Sequence, residues 1–283
     1  MMVYRGYDQA ALDAQYNNRA MVPDHARHIE AWARDSASVR AARPDAKLDL
    51  AYGPAERQTF DFFPAKPGAP LHVFIHGGYW RALDKSSFSY PAAPFAAAGV
   101  AYAALNYPLA PRAGFDEIVA SVRRAVVWLI GHAAELGVDP DAISISGHSA
   151  GGHLAAMVVA DPALPPDAIR GAAPISGLYD LEPIRLCYLN AELGLDAASA
   201  QRNAPIHAAP SVRCPVLLSV GGRESDEYHR QQASFAEAWR GHGMKLDAVV
   251  LDGDDHFSIV GHLGNPDSTL FRAILRLARG EAA

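Results

Sequence analysis

The run Ile143-Ser144-Ile145-Ser146-Gly147-His148-Ser149-Ala150-Gly151-Gly152 continues directly as His153-Leu154-Ala155-Ala156-Met157-Val158-Val159. An alternating apolar stretch breaks into Gly-x-Ser-x-Gly and then becomes continuously apolar, which predicts strand, sharp turn and helix with Ser149 at the apex. Gly147 and Gly151 stand two positions either side of the serine, where side chains would collide because strand and helix nearly touch. Placed there, the Ser149 hydroxyl stands clear of the sheet. The amide of Ala150 opens the helix and can donate to an oxyanion. Taken alone the motif is equally a glycine-rich turn with an idle serine, so its surroundings decide.

Upstream, Leu71-His72-Val73-Phe74-Ile75 reads as a strand buried on both faces and runs into His76-Gly77-Gly78-Tyr79-Trp80. A glycine pair lets backbone amides turn toward a ligand at close range, so this loop is the candidate partner of Ala150 in an oxyanion site, through Gly78 and Tyr79. Residues 86–98 read as a helix and 100–107 as the next strand. Asp116 is the candidate cap of a long amphipathic helix that carries Ile118, Val119, Val122, Val126, Leu129 and Ile130 on one face and ends near Gly137.

Downstream, strands are expected at 169–176, 215–220 and 248–251, with helices at 227–240 and 268–278. The stretch at about 181–209 is helix-compatible but breaks the strand-helix rhythm, and is read as a cap insertion. Before all of this, 8–43 forms a helical arm broken at Tyr16-Asn17-Asn18-Arg19, read as packing in preference to a cap, and 48–52 with 58–63 form an antiparallel hairpin. The sum is an α/β chain: a mostly parallel sheet covered by helices on both faces, with a hairpin at one edge. In such sheets ligands bind at the carboxyl ends of the strands.

The composition supports one large domain over the 283 residues. Half the residues are hydrophobic, 20% are charged, and no linker divides the chain. A net charge of -6 with interspersed signs offers no basic stripe, which argues against nucleic acid as a partner. The first residues lack an apolar signal region, and no apolar run approaches the roughly 18 residues of a membrane span, so a cytoplasmic protein is expected. Cys187 and Cys214 are the only cysteines and read as reduced packing residues. No metal or cofactor is expected; His148 and His153 lack a ligand spacing. Monomer and homodimer both stay open.

A serine needs a base to take its proton, and the base needs a third group to fix its tautomer. Ser149, an acid after the strand ending at Val220, and His256 after the last strand stand in the order Ser, acid, His expected of an α/β-hydrolase. Glu224 is the favoured acid, with Asp226 as the alternative or as a cap of the following helix; Asp252, Asp254 and Asp255 read as turn residues. Tyr79, Trp80 and His148 are candidate substrate contacts, and Tyr79 and Trp80 are equally readable as packing.

Several of these stretches together resemble the kynurenine formamidase (arylformamidase) family of α/β-hydrolases, which is related to the hormone-sensitive-lipase type of esterases. They are His76-Gly77-Gly78-Tyr79-Trp80, the turn from Gly147 through Met157, Ser176-Gly177-Leu178-Tyr179-Asp180-Leu181-Glu182-Pro183-Ile184, Gln201-Arg202-Asn203-Ala204-Pro205, Glu227-Tyr228-His229-Arg230-Gln231 and Asp255-His256-Phe257. The resemblance implies cleavage of N-formyl-kynurenine to kynurenine and formate without a cofactor, with Ser149 as nucleophile, His256 as base and the acid at Glu224. The family pattern has aspartate at that acid position, so Glu224 is a departure. A broad short-chain carboxylesterase would use the same residues. A noncatalytic ligand-binding protein on the same scaffold is expected to lack a triad member, and here each has a candidate.

Overall fold

A computed structural model describes residues 1–281. Its strands are β1 (Lys47–Ala51), β2 (Thr59–Phe63), β3 (Ala69–Ile75), β4 (Ala101–Leu105), β5 (Val138–His148), β6 (Gly171–Ile175), β7 (Val216–Gly221) and β8 (Leu246–Leu251). They form one sheet in the order β1-β2-β4-β3-β5-β6-β7-β8. The β1–β2 and β2–β4 pairs are antiparallel and all others parallel, which gives the expected hairpin at one edge. The architecture is that of an α/β-hydrolase.

The Ile-Ser-Ile-Ser alternation of β5 does not mark a solvent face. Ile143 and Ile145 pack into the larger apolar cluster, while Ser144 and Ser146 point into the opposite buried layer. There His72 of β3 receives both: Nδ1 lies 2.8 Å from Ser144 Oγ and Nε2 lies 2.7 Å from Ser146 Oγ. Burial pushes this imidazole down to about 3, so it stays neutral and satisfies both hydroxyls without a buried charge.

Two helix expectations are corrected. Residues 86–98 form a short 3₁₀ turn, Lys85–Phe88, and a separate helix, Ala92–Ala97, because Pro91 has no amide hydrogen to carry one helix through. The long helix is Phe115–Gly131; its cap position is Gly114, and Asp116 lies in the first turn. The Asp116 carboxylate is instead taken by Arg202 at 2.6 Å and Asn203 at 2.6 Å, which ties the stretch after β6 to this helix. A further turn, Ala133–Leu136, closes on Gly137 in the left-handed conformation (φ 73°).

The N-terminal arm is three helices, Gln9–Gln15, Asn18–Met21 and His25–Ala42, with Asn17 capping the second. Between β6 and β7 run the short helices Glu182–Leu186, Asn190–Leu193 and Ala197–Arg202. No helix among the described residues is long and apolar enough to cross a membrane.

Candidate active site

Ser149 directly follows β5 with φ 58° and ψ −119°, a conformation that costs a non-glycine residue about 1–3 kcal/mol. The turn is held from both sides. A Cβ on Gly147 would overlap the Gly151 carbonyl, and one on Gly151 would overlap the Ile75 carbonyl of β3. The Ser149 amide donates to Ile175 of β6 at 2.8 Å, and the helix Ala150–Val159 behind it is buried along its whole length.

The loop after β3 lies against this turn. A Cβ on Gly77 would stand 2.9 Å from the His148 carbonyl oxygen and 3.1 Å from Ser149 Cβ, so only glycine allows the approach. Tyr107 donates to the carbonyl oxygens of His76 (2.9 Å) and Gly77 (3.2 Å), which fixes the loop's acceptors on its buried side. His76, pushed down to about 4 by burial, adds contacts to the Gly77 carbonyl and Asn106. Among the described residues, the amides of Gly78, Tyr79 and Ala150 donate to no protein acceptor. Free amides beside a strained serine are the arrangement that receives a developing oxyanion.

His256, in the loop after β8, places Nδ1 2.6 Å from Glu224 Oε2. The other carboxylate oxygen accepts from the Gly221 amide at 2.8 Å and from Ser176 Oγ at 2.5 Å. With Nδ1–H given to the carboxylate, Nε2 is the ring nitrogen left to act as a base. Of the two acid candidates, Glu224 is the one that lies against His256; Asp226 is exposed in the first turn of the helix Asp226–Gly241 and does not cap it, since that position is Ser225. Of the three aspartates read as turn residues, Asp252 lies in the turn after β8, whereas the Asp254 carboxylate lies 2.8 Å from both Ser258 Oγ and His262 Nε2, and Asp255 accepts from the amides of Phe257 and Ser258 at 2.9 Å.

Ser149, His148, His256, Gly78 and Tyr79 line one cavity of about 280 Å³. Among the described residues no hydrogen bond joins Ser149 to the His256 ring; such contacts commonly close only in the complex with substrate. His148 is buried with Nε2 unpartnered, its ring centroid 4.6 Å from that of His256. Burial, and then the neighbouring His256, push its imidazole well below the usual histidine range.

Comparison with known proteins adds to this geometry. The family model BD-FAE matches residues 62–163. Kynurenine formamidase of Danio rerio is 32% identical over 81% of this chain and 81% of its own length, and that of Salmo salar is 31% identical over the same shares. The chain belongs to the kynurenine formamidase family. Esterase LipQ of Mycobacterium tuberculosis is 35% identical over 47% of this chain and 35% of its own. A solved structure from Silicibacter sp. tm1040, given a provisional thioesterase description, superposes with a TM-score of 0.84 at 34% identity, covering 93% of this chain and 98% of that one. The chain is a hydrolase.

Within the family framework one site expectation is corrected. Trp80 does not reach the cavity: it is fully buried, its Nε1 donates to His153 Nδ1 at 3.1 Å, and it packs on Phe115. Its left-handed backbone (φ 56°) turns the side chain inward after Tyr79. His153, pushed down to about 4 by burial, passes the link on to the Asn203 carbonyl at 2.7 Å, so it joins loop, helix and the stretch after β6. The sequence reading also missed residues. Asn17, Asn18, Arg19, Ile29 and Trp32 of the arm and Tyr188 and Glu192 after β6 line the cavity, so the arm is more than packing. Ser176 and Tyr228 stood in the family-like stretches without a role attached.

Proposed function

We propose that this hydrolase uses Ser149, His256 and Glu224 as a triad to cleave a small acyl group from an aromatic amine, N-formyl-kynurenine or a related aryl formamide. The observation that carries the reading is the Glu224 carboxylate held 2.6 Å from His256 Nδ1, with the same imidazole in the wall that contains Ser149. Ser149 attacks the acyl carbonyl while His256 Nε2 takes its proton. The amides of Ala150, Gly78 and Tyr79 receive the oxyanion. His256 then protonates the leaving amine, and a water repeats the sequence to release formate.

Gly77 pressed against Ser149 leaves little room on the acyl side, which suits a formyl group. The aryl group lies toward Trp32, Phe257 and Tyr188, which offer flat apolar surfaces along the cavity. The arm (1–43) and the stretch 181–209 act together as the cap, and the chain works as one domain in the cytoplasm on a small-molecule substrate.

The test has two arms. Fluorophosphonate should label the native chain and not Ser149→Ala, whose turnover should fall by about 10⁴–10⁶-fold with the fold intact. Unchanged turnover in that variant removes the serine mechanism. Steady-state kinetics should then favour N-formyl-kynurenine over p-nitrophenyl acetate and butyrate. The likeness to Esterase LipQ supports the second reading, a short-chain carboxylesterase, and a preference for the esters would select it.

A further inference from the structure

Histidines aside, three charged side chains stand on the wall of the cavity among the described residues: Arg19 of the arm, Arg81 of the loop after β3 and Glu192 of the 181–209 stretch. Arg81 and Glu192 pair with each other. Arg19 has no such partner, and the reason is local. The carboxylates nearest to it in sequence are already occupied: Asp13 accepts from Gln9 Nε2 at 2.9 Å and from the Tyr188 amide at 2.8 Å, and Asp24 pairs with Arg27 at 2.6 Å. The cavity therefore carries one uncompensated guanidinium, in a chain whose formal net charge is -6. An anion is repelled by such a chain as a whole and attracted at this one wall.

The turn that carries Arg19 is fixed to the loop that holds the candidate oxyanion amides. Asn18, its neighbour in the chain, is buried and donates through Nδ2 to Tyr79 Oη at 3.0 Å and to Tyr228 Oη at 2.9 Å. Tyr79 Oη in turn donates to the Tyr16 carbonyl at 2.7 Å. The loop beside Ser149 and the turn beneath Arg19 are thus tied by side chains at two points, which sets where the Arg19 backbone stands relative to the serine. Its side chain is exposed at the rim, free to take a ligand.

On the reading that the chain is an arylformamidase acting through Ser149, we propose that Arg19 is the specificity-determining residue for the amine half of the substrate, and that this half carries a carboxylate. The formyl group lies against Gly77, where there is little room, so the ring and everything attached to it extend into the cavity. The aryl face takes the apolar wall, and the carboxylate, at the end of the ring's side chain, takes the two-pronged guanidinium. N-formyl-kynurenine has such a carboxylate; a plain aryl formamide or a short-chain ester has none. The contact is the same before and during attack on the formyl carbon, so it lowers KM and leaves kcat little changed.

The experiment compares kcat/KM for N-formyl-kynurenine and for its carboxamide, in which the carboxylate alone is replaced, in native enzyme, Arg19→Gln and Arg19→Lys. Native enzyme should prefer the acid by about 20-fold, the effect of one charge-assisted, two-pronged contact at a hydrated rim. Arg19→Gln should bring the two substrates within about 3-fold of each other through a rise in KM for the acid. Added sodium chloride should raise KM for the acid in native enzyme and no longer do so in Arg19→Gln, a response that a merely structural role would not produce. Arg19→Lys, which keeps the charge without the fork, should retain part of the preference. Equal kcat/KM for acid and carboxamide in native enzyme, or a native preference that survives in Arg19→Gln, overturns the assignment of Arg19 alone. Native enzyme that labels with fluorophosphonate yet cleaves neither formamide overturns the arylformamidase reading, and the role of Arg19 with it.

Discussion

The two sides of the cavity are built differently. The side proposed to react is made of strand ends: Ser149 after β5, Gly78 and Tyr79 after β3, Glu224 after β7 and His256 after β8. Each follows a strand of the continuous sheet, and backbone bonds such as Ser149 N to the Ile175 carbonyl fix it. The facing side is made of excursions from the sheet. The arm reaches the start of the helix Asp226–Gly241 through side chains, Tyr16 donating to Glu227 at 2.8 Å and Ser225 to the Gln15 carbonyl at 2.7 Å, and reaches the loop after β6 through Tyr4, which donates to Asp180 at 3.0 Å. The 181–209 stretch meets the arm through the Tyr188 amide, which donates to Asp13 at 2.8 Å, and through Gln9, which donates to the Leu186 carbonyl at 3.0 Å, and it meets the loop after β3 through the Arg81–Glu192 ion pair. A sheet edge holds atoms to the tolerance chemistry needs; polar side-chain docking holds a wall that chooses what enters.

Substitutions on the two sides test this contrast. The largest effect belongs to the reacting side: Glu224→Ala should lower kcat by about 10⁴-fold, whereas exposed Asp226→Ala should stay within about 2-fold of native. A greater loss at Asp226, measured side by side, would reverse the acid assignment. Next comes Gly151→Ala, where the added methyl meets the backbone of β3 and nothing flexible can yield. A stability loss of about 3 kcal/mol in urea unfolding is expected, and a native-like denaturation midpoint would show that strand and helix are not in contact there. The smallest effect separates wall from core. Tyr188→Ala, on the half-exposed cavity wall, should raise KM for the aryl substrate by about 5-fold with little change in kcat, about 1 kcal/mol of lost contact. Trp80→Phe should leave KM within 2-fold and lower the melting temperature, because His153 Nδ1 loses its donor. The opposite pattern would return Trp80 to the substrate.

Much of the reacting side was legible because its signals are local. Glycines at 147 and 151 are demanded by one turn, and the order Ser149, Glu224, His256 follows from which strand each residue ends. Which of Glu224 and Asp226 lies against His256 was open in the chain alone; Glu224 is held there by the Gly221 amide and Ser176, which come from two different strands' ends. The helix break at Pro91 was overlooked although its cause is a single residue. Asp116 showed the opposite difficulty: it has the chemistry of a cap, but Arg202 and Asn203, more than 80 residues away, outcompete its own helix for the carboxylate.

The chain alone was enough to read the strand-helix alternation, the strained serine turn, the glycine loop beside it and the candidates Ser149 and His256, because each depends on spacing within a few residues or on the order of strands. The three-dimensional fold was needed to turn Trp80 into the core and to bring the arm and the 181–209 stretch to the cavity wall. Those outcomes depend on which distant side chains can satisfy one buried donor or acceptor. That competition is settled in three dimensions, where a carboxylate, a carbonyl or a phenol takes whichever partner packing brings within 3 Å.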